Sequence, residues 1–266
     1  MKTISCICFV IVMAACAKNS ITGRNQLALL SESQLQEMAA QEYRAFLSQN
    51  RVVSPGNRDA EMVKRVGQRL VNAINQYYSQ KGLSQELQGF NWEFNLVENK
   101  EANAWAMPGG KTAVYTGLLP ITQNEAALAV VVGHEIAHSL AKHGNERMSQ
   151  AMVAQGIGVA GDVLTSNNER VNTIFGSVYG PAASIGVLLP NSRKQELEAD
   201  RYGLIFTAMA GYNPQEAIPL WQRMEQASGG NRPPEFLSTH PSEENRIEKL
   251  RQLMPEALKY YKPMGR

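Results

Sequence analysis

The sequence predicts an α+β fold, mainly helical, with a small β-sheet. Apolar residues recur at helical spacing over long stretches, as at Val63, Val66, Leu70 and Ile74. Strict alternation stands out in one stretch, where Phe90, Trp92, Phe94 and Leu96 interleave with Asn91, Glu93 and Asn95. Helix-starting residues recur between such stretches, Ser31, Asn213 and the Thr122–Glu125 box among them. A chain of 266 residues can bury a substantial core, and one folded domain from Ser31 to Arg266 is the simplest partition. Hydrophobic content of 44% and charged content of 19% are ordinary for a globular protein. The net charge is only +2 and no Lys/Arg cluster forms a phosphate-binding face, so nucleic acid is excluded as the expected partner.

Residues 1–15 have the order of a secretory leader, with Lys2 before the apolar run Ile4 to Ala15. That run is too short to span a bilayer as a mature helix, which needs ~20 residues. Met13-Ala14-Ala15-Cys16 resembles a bacterial lipobox, with Met where Leu is more usual. Cleavage there leaves Cys16 as an acylated first residue, a membrane anchor. Each buried methylene adds roughly 0.8 kcal/mol to such an anchor. Cys6 and Cys8 leave with the leader, so the mature chain has no cysteine pair to form a disulfide. Residues 16–30, with Asn19, Ser20, Thr22, Gly23 and Asn25, read as a tether from the lipid.

Ser31 or Ser33 caps a first helix that runs to about Ser48, and Pro55-Gly56 makes a turn. A second helix covers about Arg58 to Tyr78, and Lys81 to Gly89 connects it to the strand Phe90 to Val97. Ala104–Met107 and Thr112–Tyr115 form a second strand pair about Pro108-Gly109-Gly110. Thr122-Gln123-Asn124-Glu125 is expected to cap a helix ending near Gly144. Ser149 to Pro190 is rich in small residues and reads as one or two close-packed helices with a loop at Ser166-Asn167-Asn168. A further helix begins near Asn191 or Ser192 and stops at Gly211. Another follows Asn213-Pro214, and a Gly/Pro-rich loop from Ser228 to Pro234 leads to Thr239-His240-Pro241 and a last charged helix.

His134-Glu135-Ile136-Ala137-His138 is an H-E-x-x-H motif on an apolar helix. Histidines at i and i+4 share a face, so both imidazoles can meet one Zn2+ at ~2.0–2.1 Å. Burying them beside Ala127, Leu128, Val130, Val131 and Val132 requires a polar partner. Glu135 then stands where it can take a proton from an activated water and pass it to a leaving amine. A third ligand is needed, and Glu196-Leu-Glu-Ala-Asp200 offers two carboxylates on one face. Glu196 would bind the metal and Asp200 would hold a ligand histidine, while Glu198 points elsewhere. By composition alone the same helix reads equally well as an exposed acidic face paired with Arg193, Lys194 and Arg201. His143 reads as a helix C-terminal histidine that favours the dipole.

With this motif spaced from Glu196-x-x-Ala199-Asp200, the chain resembles the HtpX and CAAX-prenyl-protease (Oma-type) zinc metallopeptidases. The lipobox makes it similar to the periplasmic lipoprotein members of that family, such as LoiP and BepA. Asn103-Ala104, Pro108-Gly109-Gly110, Thr116-Gly117-Leu118, Ser192-Arg193, Arg201-x-Gly203 and Thr239-His240-Pro241 carry the resemblance across nearly all of the mature chain. The resemblance implies a zincin-like fold, one Zn2+ per chain, Glu196 as third ligand and Asp200 as its supporting residue. It implies that His240 approaches the metal, to bond an oxyanion or to occupy the open position at rest. It implies a substrate-binding edge strand at Asn103 and Ala104, and a peptide-binding role for Arg193. The expected function is endopeptidase action on unfolded or misassembled cell-envelope proteins. A latent, chaperone-like assembly factor is the alternative. Ala17, where an Asp would argue for the inner membrane, points to the outer membrane by the same family reasoning.

Overall fold

A computed structural model describes residues 16–156, 169–179, 192–228, 234–240 and 245–263. The chain opens with an antiparallel hairpin of β1 (Cys16–Lys18) and β2 (Asn25–Leu27). The side chain of Asn19 accepts hydrogen bonds from the amides of Ile21 and Thr22, which tightens the turn between the strands. Residues 16–30, expected as a tether, therefore carry ordered structure, and they pack on the domain. The Gln26 side chain donates to the Ala141 carbonyl at 2.8 Å, and Tyr202 donates its hydroxyl to the Ile21 carbonyl.

Helix α1 (Glu32–Gln49) starts where Ser31 accepts from the Gln34 amide and the Gln34 side chain accepts from the Ser31 amide. Asn57 caps α2 (Arg58–Gln80), whose buried stripe includes Val63, Val66, Leu70 and Ile74. The sheet has three strands, β3 (Glu93–Val97), β4 (Ala104–Met107) and β5 (Lys111–Tyr115), in the order β3-β5-β4. β4 and β5 form the expected hairpin, and β3 joins β5 in parallel, Glu93 opposite Lys111. The central strand β5 is buried at every position because both of its faces are covered. The strand expected from Phe90 begins regular pairing only at Glu93, because Asn91 and Glu93 donate to the turn carbonyls of Gly109 and Gly110. Gly110 sits at φ +84°, and a Cβ there would overlap the Trp92 ring.

The helix expected to start at Thr122 starts later. Thr122 closes the short α3 (Leu119–Thr122) and spends its hydroxyl on the Leu119 carbonyl. Asn124 is the cap instead, accepting from the Ala127 amide at 2.8 Å, and α4 runs Glu125–Leu140. It does not reach Gly144. Lys142 turns left-handed at φ +56°, and α5 (His143–Ala154) sets off in a new direction. α6 covers Glu169–Tyr179; the loop expected at 166–168 lies outside the described residues, as does most of the Gly/Pro-rich loop.

Ser192 opens α7 (Arg193–Met209) with a second reciprocal box, to Gln195. Asn213 caps a single tight turn, Pro214–Glu216, before α8 (Ala217–Ser228). The short α9 (Glu235–Thr239) and α10 (Arg246–Leu258) complete the fold. The larger hydrophobic cluster joins α2, α4, α7, α8 and α10 to one face of the sheet. A second joins α1, α5 and α6 to the other. Among the described residues no helix is long and apolar enough to cross a membrane.

Candidate active site

Helix α4 is apolar on nearly every side, so it is buried all round, and the polar side chains it carries have only protein partners to meet. Its closest neighbour is α7, and glycines allow the approach. A Cβ on Gly203 would stand 2.9 Å from the backbone nitrogen and Cα of His134, and one on Gly133 would stand 3.0 Å from the Gly203 carbonyl oxygen. Thr207 ties the pair further by donating to the Ala129 carbonyl at 3.1 Å. This contact brings Glu196 and Asp200, one turn apart on α7, against the histidine face of α4.

The ring nitrogens Nε2 of His134 and His138 face each other at 3.0 Å. The Glu196 carboxylate lies 3.5 Å from the first and 3.4 Å from the second. With His240, these groups place four ligand atoms within 4.8 Å of one another, all on buried residues. Glu196 Oε1 is buried without a hydrogen-bond partner. Unpartnered buried oxygens are rare and require an explanation, and a cation between the carboxylate and the two imidazoles supplies one. The donor set thus fits a metal ion.

The tautomers fit as well. Asp200 Oδ1 lies 3.0 Å from His134 Nδ1, and a carboxylate only accepts, so His134 keeps its proton there and offers the Nε2 lone pair. His240 Nδ1 donates to the Phe236 carbonyl at 3.0 Å, which leaves its Nε2 3.3 Å from Glu135 Oε1. His143 Nδ1 lies 2.9 Å from His138 Nδ1, and His143 Nε2 lies 2.9 Å from Glu198.

Burial and charge pull these groups apart electrostatically. Burial pushes Glu135 up to about 8. It also pushes His240 down to about 4 and His138 well below its ordinary value. Burial opposes charge on His134, but Asp200 and Glu196 outweigh it and push the imidazole up to about 9. Glu196 and Asp200 are held low in spite of burial, Glu196 by the facing histidines and Asp200 by Arg246 and His134. A pocket that concentrates protons on one histidine between two carboxylates exchanges them readily for a cation.

Arg246 was not singled out by the sequence. From α10 it donates to Asp200 at 2.7 and 3.0 Å and to Glu196 at 3.2 Å, and its guanidinium lies 3.6 Å over the Trp221 ring. A signal existed: Arg246 stands on the buried stripe of Leu250, Met254 and Ala257, where an apolar residue belongs. His143 is not the last residue of the motif helix. It is the first of α5, fully buried, turned back onto His138. Glu198 does point away from the metal group, and it meets His143 and Arg24. Arg193 is exposed at the first turn of α7, apart from the cluster. Asn103 is buried and accepts from the Ala104 amide, at the start of the outer strand β4. Cys16 is exposed at the start of β1.

The signature of Peptidase family M48 matches residues 57–254, which span the cluster from His134 to Arg246. The chain belongs to this family. Members of the family are metal-dependent, and the buried group of His134, His138, Glu196 and His240 could bind a metal ion. The mitochondrial metalloendopeptidase OMA1 of Saccharomyces cerevisiae is 35% identical over 182 residues, which cover 66% of this chain and 50% of that protein. The human mitochondrial metalloendopeptidase OMA1 is 31% identical over 247 residues, 90% of this chain and 46% of that protein. The beta-barrel assembly-enhancing protease of Escherichia coli is 31% identical over 168 residues, 60% of this chain and 34% of that protein. The chain spans about half the length of the first of these, and less of the others.

Proposed function

We propose that the chain is a zinc-dependent endopeptidase that hydrolyses unfolded or misassembled proteins of the bacterial cell envelope, where Cys16 anchors it by lipid. The observation that carries this reading is the convergence of two imidazole lone pairs and the unpartnered Glu196 oxygen beside Glu135. His134, His138 and Glu196 are a nitrogen and oxygen set suited to Zn2+. Bound there, the ion would acidify a water and polarise the scissile carbonyl. Glu135 would take the proton from that water and deliver it to the leaving amine. Asp200 and Arg246 would hold His134 and Glu196 in place.

Extended substrate would pair with β4, which among the described residues is an outer strand with β5 on one side only. His240 sets the resting state. Its Nε2 lies with the ligand atoms, and the whole group is nearly closed to solvent. A catalytic site needs an open position. His240 must therefore swing out before substrate binds. The envelope assignment draws on the leader and lipobox pattern and on the name of the Escherichia coli relative. The mitochondrial relatives share the domain in another compartment.

The test is zinc content and casein cleavage by the full chain in detergent. Wild type should carry about one zinc per chain, the stoichiometry of a single three-ligand site. Glu135→Gln should keep the zinc and lose cleavage, and His240→Ala should cut faster than wild type. A Glu135→Gln variant that still cleaves casein would remove the mechanism.

A further inference from the structure

We propose that His143, Glu198 and Arg24 form a positioning relay for His138, so that the N-terminal hairpin supports the metal centre from outside the peptidase core. The inference rests on the zinc reading above. His143 is fully buried and both of its ring nitrogens are engaged. Glu198 accepts at His143 Nε2, so a neutral His143 has its proton on that nitrogen and a lone pair on Nδ1. That lone pair accepts the hydrogen bond that His138 Nδ1–H donates, so His138 keeps its proton on Nδ1. His138 Nε2 is thereby left bare and aimed at His134 Nε2 and Glu196. Each link dictates the next, and the last one fixes the tautomer that a metal requires.

The outer end of the relay is Arg24, between β1 and β2. Its guanidinium bonds Glu198 at 2.9 Å and Glu146 at 2.5 and 2.7 Å. Gln195 also donates to Glu146, at 2.8 Å. Gln26 donates to the carbonyl of Ala141, at the break between α4 and α5 that turns His143 inward. The hairpin thus grips both the charge that orients His143 and the backbone bend that delivers it. Arg24 lies outside residues 57–254, the part that the family signature spans. His143, Glu198 and Arg24 are positioning residues, and none of them reaches the ligand atoms.

The test uses the full chain in detergent, with zinc affinity measured by competition against a chromophoric chelator. Absorption of the Co2+-loaded protein reports ligand geometry, and circular dichroism reports the fold. His143→Ala and Glu198→Ala should each bind zinc roughly 10–100-fold more weakly and shift the cobalt bands. Glu198→Gln and Arg24→Ala should give smaller losses in the same direction. Tyr202→Phe removes a hairpin anchor, at Ile21, without touching the relay, and should leave affinity and bands unchanged. Should His143→Ala fail to fold, the Glu198 and Arg24 variants, at sites open to solvent at one end, carry the test. Wild-type affinity and cobalt bands in folded Glu198→Ala overturn the relay while leaving the zinc site intact. A wild-type chain that binds no zinc overturns the zinc reading, and the relay with it.

Discussion

The two histidines of the motif sit one turn apart on one helix, yet they are held from opposite ends of the chain. His134 meets a carboxylate directly, and behind Asp200 stands Arg246 from the last helix. His138 meets a second imidazole, and the carboxylate and arginine come one and two steps later, from Glu198 and Arg24. The inner support is closed to solvent, with Arg246 stacked on Trp221. The outer one ends in side chains about 15% exposed. The His134 side is therefore built for strength and the His138 side for reach, and perturbing each should give a different kind of loss.

The largest effect should come from Arg246→Ala. It leaves Asp200 and Glu196 buried without their cation, and removing one partner of a buried ion pair costs roughly 3–5 kcal/mol. Thermal unfolding of the metal-free protein should show it as a large drop in Tm, partly restored by saturating zinc. A drop no greater than that of Arg24→Ala would erase the contrast between the two supports.

Gly203→Ala should rank next. The added methyl would press on the His134 backbone at 2.9 Å, and neither partner is a flexible side-chain end. The helices must part, at about 1–3 kcal/mol for overpacking. The shift moves Glu196 and Asp200 together, so zinc affinity should fall along with Tm. Full zinc affinity in a destabilised Gly203→Ala protein would mean that the ligands are set by their side chains and not by helix contact.

Much of this site was legible because its parts are local. The spacing of His134 and His138, and of Glu196 and Asp200, fixes a shared face whatever else the chain does. The cap at Asn213 was legible for the same reason, and the caps at Ser31 and Ser192 were legible to within two residues, each as one of two candidates beside Ser33 and Asn191. The position of His143 was not. It follows from a left-handed residue at Lys142, where the sequence has neither Gly nor Asn to announce a break. Nor was the sheet order legible, since β3 skips β4, its neighbour in sequence, and pairs in parallel with β5. The hairpin at 16–30 escaped because its anchors are single polar contacts to residues more than a hundred positions away, and periodicity carries no trace of those.

The smallest effect should be the acid release of that hairpin. Burial alone would raise the Glu146 carboxyl, but Arg24 and Gln195 outweigh it and hold it below its ordinary 4.5. A carboxylate with a depressed folded value contributes its stability above the unfolded value and loses it as pH falls through the folded one. The grip on Arg24 should therefore be unchanged from pH 7 to about 4.5 and weaken only below that. Amide exchange of residues 16–30, compared with that of α4 in the same sample, reads this directly. With the intrinsic pH dependence of exchange divided out, the protection of the hairpin amides should fall below the threshold while that of the α4 amides holds. Hairpin protection that already falls between pH 7 and 5 would mean that some group other than Glu146 holds it. Hairpin and α4 letting go together at every pH would mean that the outer support is as strong as the inner one.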